Sequence, residues 1–330
     1  MSTMTAPTGG SAPRPAPVGR RSRHLVSISD LSDEDLYSVV ARGARFAAGE
    51  CDAPLAGRVV GAYFLKTSTR TRTAFTAAAL RLGAGVIQYG PQDLQTNTGE
   101  TSADTGRVLS GMLDVLVART AGEPAELRAW AAQDRMSVVN AMSAEEHPTQ
   151  ALTDLTTLLR QFGRIERLRL LYVGEANNTA TALALAITRF PGVELELRTP
   201  PGYALPAQVL DTATRQARAC GASIVERHHM SDLPGDLDAI YTTRWQTTGT
   251  SKPDPHWRRV FAPFRVEQDL WRRSPNAVFL HDLPAHRGEE VTAEVLDGPA
   301  SIAFQQAENK LYSAMAVLDW CQAPAGGPAR

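Results

Sequence analysis

At 330 residues the chain is too long for one simple core and suits two compact domains of roughly 130 to 150 residues with a cleft between them. Hydrophobic content of 43%, charged content of 21% and a formal net charge of -1 are those of an ordinary globular protein, and they exclude the field that would gather nucleic acid or an anionic membrane surface. Cys51, Cys220 and Cys321 lie far apart with no CxxC or Cys/His spacing, so neither a zinc site nor a disulfide framework is expected, and a reducing cytoplasm is the simplest home.

Residues 1–23 are rich in Pro, Gly, Ser, Ala and Arg and read as a disordered tail; they lack the apolar stretch of about 7 to 15 residues that a secretory signal needs. No apolar run approaches the roughly 20 residues of a membrane span. Ser32-Asp33-Glu34-Asp35 has capping-box spacing and precedes Leu36, Val39, Val40 and Ala44 at helical period, which predicts a first helix. Strands are expected at 59–64, 85–89, 114–118 and 137–140, with helices between them, which makes one parallel α/β unit. A helix from Pro148 to about Gln161 leads into further strands at 168–173, 193–197, 222–225, 238–242 and 277–280. The Pro/Arg-rich stretch 251–263 reads as a long loop, and in the last helix Phe304, Ala307, Leu311, Ala314, Met315 and Leu318 share one apolar face. The expected fold is therefore α/β, two similar parallel-sheet domains with a site in the cleft.

The string Phe64-Leu65-Lys66-Thr67-Ser68-Thr69-Arg70-Thr71-Arg72-Thr73-Ala74-Phe75 follows a predicted strand and opens a helix ending at Gly83. That puts hydroxyls and free backbone N–H groups at a helix N-terminus, which attracts anions. Ser68 and Thr69 can donate from their hydroxyls, and Arg70 offers a planar fork for phosphate oxygens. Composition alone equally allows a capped helix with surface arginines. No GxGxxG or GxxxxGK[ST] string supplies a dinucleotide or P-loop site.

This string resembles the carbamoyl-phosphate signature of the aspartate and ornithine carbamoyltransferase family, and further motifs follow in that family's order. They are Leu116-Val117-Ala118-Arg119-Thr120, His147-Pro148-Thr149-Gln150, Tyr172-Val173-Gly174-Glu175-Ala176-Asn177-Asn178 and His281-Asp282-Leu283-Pro284-Ala285-His286-Arg287-Gly288-Glu289-Glu290. Ala307-Glu308-Asn309-Lys310 closes the set, where the family usually has Arg after Asn. The similarity spans about residues 24 to 322, and jointly the motifs are far more specific than any one of them.

The resemblance implies a carbamoyl-phosphate-binding domain at 24–148 completed by helix 304–322, an amine-acceptor domain at 149–303 and a short tail at 323–330. It implies a homotrimer or a multiple of trimers, no metal and no cofactor, with carbamoyl phosphate as co-substrate. It places Ser68, Thr69, Arg70 and Thr71 on the phosphate, with Arg119, His147 and Thr71 as donors to the carbonyl oxygen. Gln150 and the Leu283 carbonyl would orient the carbamoyl amino group, Lys310 would complete the carbamoyl-phosphate set, and Asn178 would meet the acceptor's carboxylate. The plainer alternatives are a satisfied interdomain histidine at His147 and a solvated lysine at Lys310.

On the acceptor side the chain departs from the ornithine branch. Where that branch has Asp-x-Trp-x-Ser-Met-Gly, this chain has Thr243-Arg244-Trp245-Gln246-Thr247-Thr248-Gly249, and Thr243-Arg244-x-Gln246 is similar to the aspartate branch. Asp282 replaces the cysteine of the usual His-Cys-Leu-Pro loop and would pair with the incoming ammonium or accept its proton; the plainer alternative is a loop-capping carboxylate. Thr98 carries no charge where relatives often lend a basic residue to a neighbouring subunit. Asn178, Thr243, Arg244, Gln246, Thr247, Thr248 and Asp282 are thus the expected acceptor set, with Arg70, Arg119, His147 and Asp282 as the catalytic group.

The resulting expectation is carbamoyl transfer to an amine of an amino-acid-like acceptor other than plain L-ornithine, such as a shorter diamino acid or a biosynthetic intermediate. An ordinary ornithine carbamoyltransferase making citrulline is one rival. A catalytically silent homologue is another, opposed by the joint presence of Arg70, Arg119, His147 and Gln150, and a nucleotide-binding oxidoreductase rests on α/β architecture alone.

Overall fold

The structure, a computed structural model, describes residues 22–51, 53–247 and 251–323. The expected tails at 1–23 and 323–330 lie almost wholly outside the described residues, as does Thr248. Arg23, at the edge of the first tail, is packed: it pairs with Asp35 at 3.3 Å and lies over the Trp320 ring at 5.3 Å.

Helix α1 (Asp33–Ala47) is capped by the Ser32 hydroxyl, which accepts the Asp35 N–H, and its acidic first turn suits the helix dipole. A complete capping box stands just upstream, at Ser27 and Asp30, where the sequence reading places none. Strand β1 (Val59–Phe64), helix α2 (Thr69–Arg81), β2 (Gly85–Tyr89), α3 (Ser102–Leu109), β3 (Val115–Arg119), α4 (Pro124–Trp130) and β4 (Ser137–Met142) then build a four-stranded sheet of order β2-β1-β3-β4. Every pairing in it is parallel, and β3, which reads Val-Leu-Val-Ala-Arg, is buried along its whole length, as a central strand covered on both faces must be.

Helix α5 (Pro148–Phe162) carries the chain to a second sheet. Strand β5 (Arg169–Val173), α6 (Asn178–Ile187), β6 (Glu194–Arg198), α7 (Ala207–Cys220), β7 (Ser223–Arg227), β8 (Ala239–Thr242), α8 (Trp257–Phe261), β9 (Val278–His281) and α9 (Ala293–Leu296) give the order β7-β6-β5-β8-β9, again all parallel. The last helix, α10 (Ala303–Gln322), returns to pack on α1, α2 and α5. One hydrophobic cluster runs from Val60 and Val115 through Leu155, Met315 and Leu183 to Leu197, so the helices between the sheets weld the two halves into a continuous core.

Both expected parallel-sheet halves are present, with strand ends displaced by a residue or two. The 251–263 stretch corrects the sequence reading: it contains α8, because Trp257 and Phe261, four residues apart, bury against Trp245 and offset the poor composition for a helix.

Candidate active site

The segments that leave the carboxyl ends of β1, β3, β4, β5, β8 and β9 converge on one cleft between the sheets, the usual place for a ligand in parallel α/β architecture. The cleft holds a cavity of about 280 Å³. Ser68, Thr69, Arg70, Thr71, Arg119, His147, Gln150, Asn178, Thr243, Arg244, Thr247, Asp282, Leu283 and Lys310 all line it. Gln246 does not: it follows Trp245, whose ring is buried against Trp257 and Phe261, and the wall resumes only at Thr247.

On the first-domain side Ser68 is the N-cap of α2, and its side chain makes no capping bond to the helix. Thr71 is buried one residue beyond Arg70, whose Nη2 donates to the Leu283 carbonyl at 2.8 Å across the cleft. The carbonyl expected to meet a carbamoyl amino group is thus already bonded on one side to Arg70. A register shift between Ala118 and Arg119, where β3 pairs with β4, turns Arg119 into the cleft. Arg119 is 8% exposed, its Nε has no hydrogen-bond partner within the protein, and burial, with Arg70 nearby, pulls its pKa down to about 10.

His147 caps α5 and is fully enclosed. Burial, reinforced by Lys310 and Arg119, holds its imidazole well below the usual range, so near neutral pH it is an uncharged ring. Its backbone N–H donates to the Asn178 carbonyl at 3.1 Å, and Asn178 Nδ2 donates to the Ser143 carbonyl at 2.8 Å, which ties the second domain's turn to the end of β4.

A buried polar network lies behind these groups. Lys310 Nζ donates to Gln150 Oε1, and Gln150 Nε2 donates to Asp154 Oδ1 at 2.7 Å. Asp154 also accepts from Gln306 Nε2 at 2.7 Å and from the Tyr241 hydroxyl at 3.0 Å. Burial raises the Asp154 carboxyl and lowers the Lys310 ammonium, each opposing the other's desolvation. Lys310 is therefore no solvated helix lysine.

On the second-domain side, Thr243 follows β8 and Asp282 follows β9, strands whose register pairs Thr242 with His281. Thr243 Oγ1 donates to Asp282 Oδ1 at 2.9 Å, and Thr179 Oγ1 donates to Oδ2 at 3.0 Å. His281 holds the loop: its Nδ1 accepts the Leu283 N–H at 2.8 Å, which leaves Nε2 to carry the proton toward Glu290 Oε1 at 3.2 Å. The 3.5 Å approach of His281 Nδ1 to Asp282 Oδ1 is consequently not an ion pair. Arg244 lines the same wall, its Nε buried without a partner. Among the described lining residues, Arg70, Arg119, Arg244 and Lys310 oppose one carboxylate, Asp282, a balance that favours an anionic ligand.

Residues 23–160 match the family model described as aspartate/ornithine carbamoyltransferase, carbamoyl-P binding domain, and residues 166–321 match its partner, the Asp/Orn binding domain. The chain belongs to the aspartate/ornithine carbamoyltransferase family. Among its relatives, the ornithine carbamoyltransferase of Symbiobacterium thermophilum is 38% identical over 306 residues, covering 90% of this chain and 97% of that protein. The anabolic ornithine carbamoyltransferase of Pyrococcus furiosus is 36% identical, covering 91% and 96%. The structure of the Pyrococcus furiosus enzyme superposes with a TM-score of 0.84 over 90% of this chain and 96% of that one, and that from Gloeobacter violaceus, 34% identical, with 0.81 over 92% and 100%.

The chain is thus a carbamoyltransferase, and such enzymes take carbamoyl phosphate as co-substrate and need no cofactor. No described helix is long and apolar enough to cross a membrane. Sequence reasoning missed several residues around this carbamoyltransferase's cleft: Thr179, Asn177, Met142 and Pro284 in the lining, with Asp154, Gln306 and Tyr241 behind it. Asn177 and Pro284 stand inside strings already matched to the family, and Asp154 left a local signal of its own, a carboxylate four residues after Gln150 and therefore on the same helical face.

Proposed function

We propose that the enzyme carbamoylates an amino group of an amino-acid-like acceptor that it recognises differently from L-ornithine. One observation carries this reading: the cavity's carboxylate stands at Asp282, oriented by Thr243 and Thr179, whereas the ornithine branch usually has its acidic residue at position 243 and cysteine at 282. In this reading Ser68, Thr69, Arg70 and Thr71 hold the phosphate, and Arg119, neutral His147 and Thr71 donate to the carbonyl oxygen as charge develops on it. Lys310 fixes Gln150, which orients the carbamoyl amino group, and Asn178, Arg244 and Thr247 take the acceptor's anionic end. The domains divide at 24–148 with 304–322 for the donor and 149–303 for the acceptor.

The acceptor enters as an ammonium paired with Asp282 and gives one proton to that carboxylate. Its nitrogen then forms the bond to the carbonyl carbon, the bond from that carbon to the phosphate oxygen breaks with its electron pair, and the second amine proton leaves on the phosphate. Products are a ureido compound and hydrogen phosphate. The family resemblance further supports a cytoplasmic homotrimer, in which Thr98 lends no charge to a neighbour.

The names of the relatives favour a second reading, L-ornithine as acceptor and citrulline as product. The two readings separate when the pure protein is incubated with carbamoyl phosphate and a panel of amines, following phosphate release and product mass. The first expects the highest kcat/KM with an amine other than L-ornithine. Efficient, saturable citrulline formation as the best activity overturns it in favour of the second.

A further inference from the structure

Lys252 is buried where a lysine is seldom found: only 5% of its side chain is exposed. Its ammonium lies 4.4 Å from the Tyr203 ring centroid, 4.7 Å from Phe261 and 5.4 Å from Trp257, and 2.8 Å from Glu175 Oε1. These rings brace one another edge to face, Tyr203 on Phe261 at 4.6 Å and Trp257 on Phe261 at 5.2 Å. A cation enclosed by aromatic faces and one carboxylate is held far more firmly than a solvated ion pair.

Glu175 sits in the turn that follows β5, and other bonds converge on the same turn. The Tyr172 hydroxyl donates to the Glu175 carbonyl at 2.8 Å, and the Ala176 N–H donates to the Tyr203 carbonyl at 3.0 Å. Asn177 Nδ2 then donates to Thr247 Oγ1 at 3.2 Å, and Asn178 reaches the cavity. Lys252 is not among the described residues that line the cavity, and this turn links it to the wall.

We propose that Lys252 is a positioning residue for the acceptor: clamped between Glu175 and the rings of Tyr203, Trp257 and Phe261, it holds the 175–178 turn and thereby keeps Asn178 and Thr247 on the cavity wall. The functional consequence rests on the reading of that wall as acceptor-binding. The mechanical part does not. Removing Lys252 leaves the partly buried Glu175 carboxylate without its countercharge, so the turn loosens rather than merely losing a contact.

The test uses the full chain as wild type, K252M and K252R, with hydrogen–deuterium exchange on peptides covering 174–179 and, as control, 68–73. In K252M the 174–179 peptide should exchange roughly ten-fold faster while 68–73 is unchanged, and K252R, which keeps a cation over the rings, should return it near wild type. With whichever panel amine turns over best, K252M should raise the acceptor KM roughly ten-fold and leave that for carbamoyl phosphate unaltered. Unchanged exchange at 174–179 overturns the clamp. Faster exchange with an unchanged acceptor KM overturns its role in positioning. N178A separates the two readings: if it too leaves the acceptor KM unchanged, the acceptor wall has been misassigned and the clamp stands on exchange alone. Should K252M not fold, E175Q breaks the same pair and carries the same measurements.

Discussion

The Thr243 hydroxyl donates to Asp282 Oδ1 at 2.9 Å across neighbouring strand ends, and in the proposed reading Asp282 supplies the acidic group of the acceptor side from the strand beside Thr243. Adjacent strands are about 4.8 Å apart, comparable to several bonds of an acceptor side chain. In that reading a carboxylate borne by position 282 rather than 243 approaches the bound amine from the neighbouring strand.

Exchanging the pair should therefore exchange the substrate. The double variant T243D/D282C is expected to raise kcat/KM for L-ornithine relative to the wild type's best acceptor by about a hundredfold, since mispaired buried polar groups discriminate strongly. D282N alone should lower kcat about a hundredfold by removing the proton acceptor, with little effect on the KM for carbamoyl phosphate. An acceptor profile unchanged in the double variant would remove Asp282 from specificity.

Arg119 is a buried donor with an unpartnered Nε beside Arg70. R119A should cost about 3 to 4 kcal/mol of transition-state stabilisation, a hundredfold or more in kcat. Its thermal midpoint should stay near wild type, because the variant also removes repulsion between the buried Arg119 and the neighbouring, partly buried Arg70. Near-normal turnover by a folded R119A would end the assignment.

Glu146 lies next to His147 at 8% exposure, and burial raises its carboxyl to about 7 although the Ile28 N–H donates to it at 2.7 Å. The folded state therefore binds this proton more tightly than the unfolded chain, where the value is 4.5. Its stabilising contribution is complete below the unfolded pKa and is lost as pH rises through about 7, on the order of 3 kcal/mol in all. E146Q can still accept from Ile28 but does not ionise, so its thermal midpoint relative to wild type should climb between about pH 5 and pH 8. A difference that stays flat across that range contradicts the assignment.

Lys310 ties the last helix to Gln150. K310M should raise the KM for carbamoyl phosphate about ten-fold and leave the acceptor KM alone, since in the proposed reading the bond it removes orients the donor's carbamoyl end. Steady-state kinetics with each substrate varied in turn distinguishes this from a general loosening, which would move both.

The first-domain side of the cleft was legible as a lining because its residues are contiguous in the chain. Residues 68–71 form one string at one helix start, and His147 and Gln150 lie a single turn apart. The strands were legible for the same local reason, as short β-branched runs. What the chain order hides is lateral. Thr179 and Asp282 are 103 residues apart, and Lys310 and Gln150 are 160 apart, so their bonds exist only once two sheets and two crossing helices are assembled. Helix α8 was missed because its composition argues for a loop, while the packing of Trp257 and Phe261 on Trp245 overrides it. Gln246 stands outside the cavity lining for the converse reason: a local motif match says nothing about which way a residue faces beside a buried tryptophan.

The chain passes out of the first sheet through α5 and comes back through α10, so the halves are wired in parallel rather than in series. A single cut or an insertion near Gly163 would leave them bound by the other strut, and the first half, which α10 completes, cannot be excised as one unbroken length of chain, whereas the second runs without a break from β5 to α9. Two struts also remove most ways in which the halves can move. Sliding and free swivelling of one half against the other would strain both.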